Sequence, residues 1–545
     1  MSPHVVALVA DPHFHDPEGD FGGVGVMLEG RQLALRSWKD TELGARAVNE
    51  TAAALCGALD RIAAAGIRHV ILAGDYTDDG QAENTRRLGS VLHSYEAEHG
   101  LRFYAIPGNH DVYGPQGKHV STRFMTGPGA SVLVTSDPEA GSEEAGRAIV
   151  TEAMRCAGQP EALLPMARFG LFRRSEDVHW ESPFGLSDAP DARLYLAMAA
   201  DGSVAHPLMD ASYLVEPEPG LWILMIDANV FEPRPGRAET SRKRAFLDPS
   251  DAGWTAVLRV KPFLLPWIRS VVARAKALGK TLVTASHYPT LDALRDVAGS
   301  EVALFGKTTI VRRTPAPEVA EAMLDTGLRW HAGGHMHVNA LTHVQAGTQC
   351  FTDIALPSLA AFPPAYKIIR AKGECAEVET VLLEGLQPDP ALHRFYAAQG
   401  RKTPPLPYDA FLAMQYRRRI ADRRLGFDWP GSLVTIVKTT DCAELVTWFG
   451  SVTASEFCLR HDLSPAALRD RGAVQLITDA YVIRTAGPLA TRFLEPGSLR
   501  ICRAFAEEFG DATTDPKKSD RAFLARFLSV LQVSLARMDE RQAIL

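Results

Sequence analysis

The sequence predicts an α/β fold in which buried strands alternate with helices and end at polar side chains. Three apolar segments, at residues 5–10, 70–73 and 103–106, have the length and composition of strands that are buried on both faces. The polar residues that follow them are Asp11, Asp75 and Asn109. Because strands joined by helical crossovers run parallel, their carboxyl ends meet at one edge of the sheet, where α/β proteins place their sites.

Two helices are expected to connect these strands. A stripe formed by Val48, Leu55 and Ile62 predicts the first helix, from about residue 41. Gly66 ends this helix, because glycine tolerates the left-handed backbone of a helix terminus. The second helix is predicted at about 82–98.

An irregular segment from residue 112 to about 219 follows, and its length predicts an inserted cap region over the same edge rather than a simple loop. The alternation then resumes, with strands at 221–226 and 281–285, helices at about 262–278 and 317–326, and a further segment at 330–337. Three histidines lie at the ends of these later strands: His287, His335 and His337. The later strands therefore add imidazoles to the predicted site.

The composition changes after residue 386, where several prolines interrupt a linker-like passage before a mainly helical region. This change predicts two domains, at 1–385 and 386–545. The last helix, from about residue 519, carries a single apolar stripe of Phe523, Phe527, Val530, Leu531 and Leu535. The stripe is a packing face, and two partners for it stay open: the first domain, or a second subunit in a homo-oligomer formed through the C-terminal domain.

The composition is that of a globular protein. The chain has 545 residues, 46% of them hydrophobic and 23% charged, and a formal net charge of -7 that does not favour nucleic acid as a partner. We expect no membrane association, because the apolar segments are too short to span a bilayer and the N-terminus lacks the pattern of a secretory signal. The 7 cysteines are scattered, so we expect reduced thiols and a cytoplasmic location.

Seven potential metal ligands are thus predicted at or just beyond strand ends: Asp11, His13, Asp75, Asn109, His287, His335 and His337. Two divalent ions about 3.5–4 Å apart require a set of this size, with one carboxylate able to bridge them. A shell of nitrogen and oxygen donors without thiolate favours Mn, Fe or Zn. The cofactor we expect is therefore a pair of divalent transition metal ions.

The order of these residues resembles the five-motif signature of the calcineurin-like metallophosphoesterase family. The motifs are Asp11-x-His13, Gly74-Asp75, Gly108-Asn109-His110-Asp111, His287 and Gly334-His335-x-His337. The resemblance covers about residues 5–370. It implies a sandwich of two mixed β-sheets flanked by helices, with the inserted cap region and the mainly helical C-terminal domain as additions.

The resemblance also implies a role for each motif residue. Asp11, His13 and His337 would hold the first ion, and Asp75 would bridge both. Asn109, His287 and His335 would hold the second ion. His110 would be the catalytic histidine that contacts the phosphate or protonates the leaving group, and Asp111 would be the carboxylate that orients it.

The expected activity is hydrolysis of a small phosphoester by attack of a hydroxide that bridges the two ions. A phosphodiester of nucleotide type is favoured, since His13 is shared by the diesterase branches of the family and residues 356–363 are similar to a segment of cyclic-nucleotide and glycerophosphodiester hydrolases. The alternatives are a phosphomonoesterase or protein phosphatase, a nuclease, and a non-enzymatic metal-binding scaffold.

Three further groups receive a structural interpretation. Asp78 and Asp79 are assigned to a turn, and Asp227 to support of the site at most. The densest basic cluster is residues 417–419 with Arg423 and Arg424, which we interpret as a solvated or salt-bridged helix face rather than a phosphate or nucleic-acid patch.

Overall fold

The computed structural model of the chain describes residues 3–143, 148–240, 243–402 and 404–539. Residues 144–147 of the predicted insertion and 540–545 of the predicted C-terminal domain lie outside this range. The strands are β1 (His4–Val9), β2 (Val26–Leu28), β3 (Arg31–Leu33), β4 (His69–Ala73), β5 (Arg102–Ile106), β6 (Ser121–Gly127), β7 (Ala130–Thr135), β8 (Ile149–Val150), β9 (His179–Glu181), β10 (Leu194–Met198), β11 (Ala205–Met209), β12 (Tyr213–Glu218), β13 (Leu221–Ile226), β14 (Thr281–Ser286), β15 (Trp330–Gly333), β16 (Ala340–Ala346), β17 (Gln349–Ala355), β18 (Ala365–Lys372) and β19 (Cys375–Leu382).

The helices of the described residues include long helices and single turns. They are α1 (Trp38–Leu43), α2 (Thr51–Ala64), α3 (Ala82–His99), α4 (Pro138–Glu143), α5 (Gly253–Val260), α6 (Leu264–Ala277), α7 (Val302–Phe305), α8 (Thr309–Arg313), α9 (Pro317–Thr326), α10 (Pro390–Ala398), α11 (Tyr408–Arg419), α12 (Leu425–Asp428), α13 (Gly431–Thr439), α14 (Cys442–Phe449), α15 (Ala454–Arg460), α16 (Pro465–Arg469), α17 (Ala473–Ala486), α18 (Ser498–Phe509) and α19 (Asp520–Asp539). None of these described helices has both the length and the apolar composition needed to cross a membrane.

Two mixed sheets form the centre of the fold. A five-stranded sheet has the order β19-β18-β1-β4-β5, with β1, β4 and β5 parallel and β18 and β19 antiparallel to their neighbours. A seven-stranded sheet has the order β16-β17-β15-β14-β13-β12-β9, with four parallel strands from β17 to β13. Strands β4 and β18 contact β14, and β5 contacts β13, so the sheets pack face to face. The predicted sandwich of two mixed sheets with helices outside is confirmed.

The parallel strands explain where the site forms. Strands β4 and β13 are buried along their whole length, as expected for strands covered on both faces. Because these strands are buried, the polar residues next to them lie at the strand ends. Parallel pairing aligns the carboxyl ends of β1, β4 and β5 in one sheet and of β13, β14 and β15 in the other. The packed sheets thereby bring two sets of strand ends to one edge of the sandwich.

The first predicted helix is interrupted. The structure has α1, which ends at Gly44, then a short turn at Val48–Glu50, and only then α2. The backbone of Gly44 is extended, so the helix cannot continue through it. The break creates a loop at 44–47 that the sequence pattern did not indicate.

The predicted insertion contributes to the sandwich. Strand β12 pairs with β13 and strand β9 pairs with β12, so both extend the seven-stranded sheet, although the sequence analysis placed them before the return of the core strands at residue 221. The remainder of the segment forms a small sheet of β6, β7 and β8 and the hairpin of β10 and β11.

The proline-rich passage after residue 386 is not an extended linker. Pro390 opens α10 at the position where its missing N–H is harmless, and Tyr396 of this helix packs on Trp38 with ring centroids 5.1 Å apart. The mainly helical character of the C-terminal region is confirmed. The stripe of α19 is buried within the chain, against α17 and α18, and the homo-oligomer stays a prediction.

A buried ion cluster ties the end of β13 to the strand-end loops. The Lys261 ammonium lies 2.9 Å from carboxylate oxygens of both Asp210 and Asp227, and all three side chains are inaccessible to solvent. These carboxylates raise the pKa of Lys261 although burial alone would lower it. Asp227 also accepts a hydrogen bond from the backbone N–H of Asn229, whose side chain donates to the carbonyl of Gly108 at 3.0 Å. Asp227 thus acts as structural support, as expected.

We predict that Lys261→Met lowers the free energy of unfolding by about 3–5 kcal/mol, because it leaves two buried carboxylates without their cation. The matched control is Lys276→Met, since Lys276 pairs with Glu374 at 3.4 Å on the surface and should contribute about 0–1 kcal/mol. Urea unfolding followed by tryptophan fluorescence measures both values. Equal losses in the two variants would contradict a role for the buried cluster.

Candidate metal centre

The predicted ligands sit on an unusual backbone. Among the described residues that are not glycine, eight have a positive φ, and the predicted ligands among them are Asp11, His13, Asp75, His335 and His337. The left-handed region is unfavourable for residues with a Cβ atom and is commonly found at functional sites, where the surrounding structure enforces it. Here hydrogen bonds between strand-end loops enforce it: the N–H of Asp11 donates to Gly74 and the N–H of His13 donates to Asp75.

The motif glycines allow the loops to approach each other. A Cβ atom on Gly108 would lie 2.2 Å from Oδ1 of Asp75, and one on Gly334 would lie 2.3 Å from Oδ2 of Asp11. Both distances are far below van der Waals contact. These two glycines are therefore required because carboxylate ligands from another loop occupy the space of a side chain.

The structure brings together the three residues predicted for the first ion. His337 Nε2 lies 3.1 Å from Oδ1 of Asp11, and the Nε2 atoms of His13 and His337 are 3.5 Å apart. The potential ligand atoms of this group all lie within 4.8 Å of one another. Asp11 and His13 are fully buried, whereas the His337 side chain is 24% exposed, so the group opens to solvent on the His337 side.

The residues predicted for the second ion also meet. His287 Nε2 lies 3.3 Å from Oδ1 of Asn109 and 3.2 Å from Nδ1 of His335. The other ring nitrogens have backbone partners: Nδ1 of His287 lies 3.0 Å from the carbonyl of Ala73, and Nε2 of His335 lies 2.9 Å from that of Ser250. Such outer hydrogen bonds orient imidazole ligands and leave the inner nitrogen available to a metal.

Asp75 lies between the two groups. Its Oδ2 atom is 3.3 Å from Nε2 of His287 and 3.9 Å from Nε2 of both His13 and His110. Burial alone would raise the pKa of Asp75, but the imidazoles, above all His287, hold it well below its usual value. In turn Asp75 raises the pKa of His287 to about 9 against the effect of burial. The surroundings of Asp75 therefore keep its carboxyl group ionised, as is required of a residue that would bridge two cations.

The donor set fits two transition metal ions. It consists of two carboxylates, four imidazoles and one amide oxygen, without thiolate, which suits the nitrogen and oxygen shell of Mn, Fe or Zn. Burial, reinforced by Arg46 beside His13 and by His287 beside His335, holds the pKa of both His13 and His335 well below the usual value. Both rings are then neutral, and His335, whose Nε2–H donates to the carbonyl of Ser250, offers the lone pair of Nδ1. The residues present thus fit a pair of metal ions. The identity of the metals stays a prediction.

His110 lies on the open side of the centre, but its partner differs from the expected one. Nδ1 of His110 lies 2.7 Å from Oδ1 of Asp79, and its ring Nε2 points towards Asp75. Burial lowers the pKa of His110, but Asp75 and Asp79 outweigh it, so the net shift is upward. The carboxylate that orients His110 is therefore Asp79, which the sequence analysis assigned to a turn.

Asp111 has a different role from the predicted one. Its carboxylate accepts hydrogen bonds at 2.8–3.2 Å from the backbone N–H groups of Tyr76, Thr77 and Gly108 and from the Thr77 hydroxyl. These bonds join the loop after β4 to the loop after β5. The expectation that Asp111 orients His110, which the family resemblance implied, is corrected, because the Asp111 side chain turns into the loops.

Sequence reasoning also missed two residues that contact the ligands. The guanidinium of Arg46, in the loop between α1 and α2, bonds to Nδ1 of His13 and is held by the buried carboxylate of Asp78. Ser250 accepts a hydrogen bond from the Asn109 amide at 3.2 Å. Neither residue belongs to a motif or follows a core strand, so the sequence carries no local signal for it.

We predict that Asn109→Ala lowers the content of bound metal per chain, because it removes the amide oxygen from the second group. His110→Ala should leave the metal content unchanged, since His110 bonds to Asp79 rather than completing either predicted ligand set. Elemental analysis of the two purified variants beside the unaltered protein measures this. Loss of metal from His110→Ala to the same degree would contradict the assignment of the two residues.

One family model matches part of the chain. Residues 4–138 match the family model of the calcineurin-like phosphoesterases, a range that contains the first three motifs. A comparison with curated proteins finds no match. Two solved structures show a distant likeness: a dimetal phosphatase from Danio rerio, at 12% identity over 70% of this chain and 97% of the other with a TM-score of 0.36, and the GAP50 anchor of the inner membrane complex of Plasmodium, at 8% identity over 74% and 96% with a TM-score of 0.28. Neither likeness is close enough to carry an assignment.

The family match ends before His287, His335 and His337, and the structure places those three histidines among the residues of the matched segment. The complete set of motif residues thus meets at one edge of the sandwich. The matched part of the chain is similar to the calcineurin-like phosphoesterases, and this similarity supports a hydrolase of phosphoesters.

Proposed function

We propose that the protein is a dinuclear metal-dependent phosphodiesterase that acts on a small phosphodiester of nucleotide type. The observation that carries the proposal is the position of Asp75 between His13 on one side and His287 and His335 on the other, with Asp11 and His337 beside His13 and the ring of His110 next to Asp75. Two ions bound there would lower the pKa of a water molecule and neutralise phosphoryl oxygens.

The residues of the chain supply the remaining chemistry. The His110 side chain is 25% exposed, close to the 24% of His337, whereas Asp11, His13 and Asp75 are buried, so His110 and His337 face the side from which a substrate approaches. Asp79 bonds to Nδ1 of His110 and favours the protonated ring, which leaves the proton on Nε2 to be donated to the departing oxygen. Such acid catalysis typically contributes about 10²- to 10⁴-fold to the rate.

Two features support a diester over a monoester. His13 completes the first ligand group, and it is the residue that the sequence analysis connects with the diesterase branches. The segment at 356–363, which carries the second resemblance, lies against the site: the Ser358 hydroxyl donates to the carbonyl of Asp11 at 2.7 Å, and Ala361 and Phe362 border the cavity beside His335 and His337. This segment is therefore in a position to shape the substrate site.

The experiment that tests the function is hydrolysis of bis-p-nitrophenyl phosphate and p-nitrophenyl phosphate by protein loaded with Mn²⁺. We expect a kcat/KM for the diester at least about tenfold above that for the monoester, loss of activity on chelation, and recovery on addition of metal. His110→Ala should lower kcat by about 10²- to 10⁴-fold. The control is His93→Ala, because His93 is largely exposed on α3 and should have no effect.

Absence of hydrolysis by protein that contains two bound ions would contradict an enzymatic function and favour a scaffold. A preference for the monoester would retain the hydrolase and contradict the diesterase. Cleavage of DNA that weakens steeply with added salt would favour the nuclease, which the net charge of -7 does not support.

Substitutions of Asp79 and Asp111 should have different effects, because only Asp79 bonds to His110. Asp79→Asn should lower kcat about tenfold or more at unchanged metal content, because it removes the charge that orients and protonates the ring. Asp111→Asn should instead lower the free energy of unfolding by about 1–3 kcal/mol, because a carboxylate that accepts buried backbone N–H bonds is lost. Steady-state kinetics and urea unfolding measure both variants. The reverse pattern would restore the original assignment of Asp111.

A further inference from the structure

A cavity of about 270 Å³ lies between the metal centre and the C-terminal helices. Its floor includes His335 and His337, which are predicted metal ligands, and its opposite wall includes Tyr416, Arg419 and Arg484. The volume approaches the lower end of small-molecule sites, about 300 Å³. The helical domain therefore forms part of the surroundings of the reacting centre.

One side of this cavity is aromatic. The rings of Phe362 and Tyr416 are stacked, with centroids 4.8 Å apart and an interplanar angle of 24°. The Tyr416 hydroxyl bonds to Oγ1 of Thr485 at 2.7 Å, which fixes the ring to α17. Phe362 comes from the segment after the last motif, so both domains contribute to this wall.

The cavity is strongly positive. Its described lining contains four arginines, Arg313, Arg419, Arg424 and Arg484, and no acidic side chain. Arg424 and Arg484 are neutralised from behind by Glu301, at 3.0 and 2.8 Å. The Arg484 side chain is only 5% exposed. Two of its guanidinium nitrogens still have no hydrogen-bond partner among the described residues. Donors of this kind, buried beside a cavity, are available to an acceptor that enters it.

Arg419 differs from the other arginines of its cluster. Arg417 pairs with Asp479 and Arg418 pairs with Glu42, as expected for a salt-bridged helix face. The Arg419 guanidinium, by contrast, has no hydrogen-bond or ion-pair partner within the described parts of the chain. Arg419 lies where α11 continues into a π-helical turn at Ile420–Arg424. Single π-helical turns are frequent at functional sites. Burial lowers the pKa of Arg419, and the neighbouring Arg423 and Arg424 add to this effect, so an anion would relieve the site.

We propose that this cavity binds a second anionic group of the substrate, a phosphate other than the one that reacts, through Arg419 and Arg484. This inference rests on the proposed function and narrows it. The substrate class is a small nucleotide that carries two phosphates, one at the metal centre and one at the arginines, with its flat ring against Phe362 and Tyr416. Guanidinium groups present paired donors that match phosphate oxygens, and the Tyr416 ring, one face of which packs on Phe362, lines the cavity beside them.

The position of the cavity supports one small molecule rather than a polymer. The arginines that would extend a positive track along α11 are engaged elsewhere: Arg418 by Glu42, and Arg423 by the carbonyl of Leu43. Within this described cluster, the arginine left without a partner is Arg419, and it lies in the cavity wall with the ligand histidines. A track for a nucleic-acid backbone would require a continuous row of unpaired cations.

Calorimetric titration of the metal-loaded protein with thymidine 3′,5′-bisphosphate and with thymidine 5′-monophosphate tests the proposal without any catalytic step. We expect the bisphosphate to bind at least about tenfold more tightly than the monophosphate, which corresponds to one charge-assisted contact. In Arg419→Gln this preference should fall to nearly one. Arg419→Lys retains the charge but not the paired donors and should keep an intermediate preference.

The matched control is Arg418→Gln, one residue away on the same helix, which should retain the full preference. The proposal is overturned if the unaltered protein binds both nucleotides equally, if the preference survives in Arg419→Gln, or if Arg418→Gln loses it to the same degree. Failure of the proposed function would be recognised separately, as an absence of phosphodiester cleavage by protein that still prefers the bisphosphate.

Discussion

The buried carboxylate of Asp75 lies within 4 Å of three imidazole rings, which come from three different loops. Burial opposes the charge of this carboxylate, and the neighbouring imidazoles, above all His287, outweigh burial and hold the pKa of Asp75 low. The loops reach it only because they adopt left-handed backbone conformations and because Gly108 leaves the space next to Asp75 free. The packing of the two sheets allows the loops to meet at Asp75, because it brings the ends of β1, β4 and β5 next to those of β13, β14 and β15.

Support for the centre extends well beyond the ligands. Lys261 joins Asp227 and Asp210 in the core, and Asn229 passes this support to the loop of Asn109 through the carbonyl of Gly108. Asp111 joins the loops after β4 and β5 through backbone N–H bonds. Precise placement of metal ligands depends on such fixed neighbours, because a site that moves by an ångström loses its function. The core and the centre are therefore one connected structure.

The C-terminal helices change what the centre can recognise. A buried carboxylate from the sandwich, Glu301, pairs with Arg424 and Arg484 of the helical region and holds that region against the metal edge. Arg419, which has no partner among the described residues, and the ring of Tyr416 line the same cavity as His335 and His337. The basic cluster that was expected to be a solvated or salt-bridged face is thus divided: Arg417, Arg418 and Arg424 form ion pairs, and Arg419 faces a cavity.

The sequence by itself determined the resemblance to a known family, the sandwich of two mixed sheets and the set of seven potential ligands, because each motif follows a strand whose burial can be recognised from its composition. The sequence did not show that the first helix breaks at Gly44. It also did not show that β9 and β12, inside the predicted insertion, join the larger sheet, since a local pattern does not reveal pairing with distant strands. Only the tertiary structure decided that Asp79 rather than Asp111 orients His110, that Arg46 contacts His13, and that Arg419 lines the cavity beside the centre. These are relations between side chains from different loops and domains, and their distances are set by packing rather than by separation along the chain.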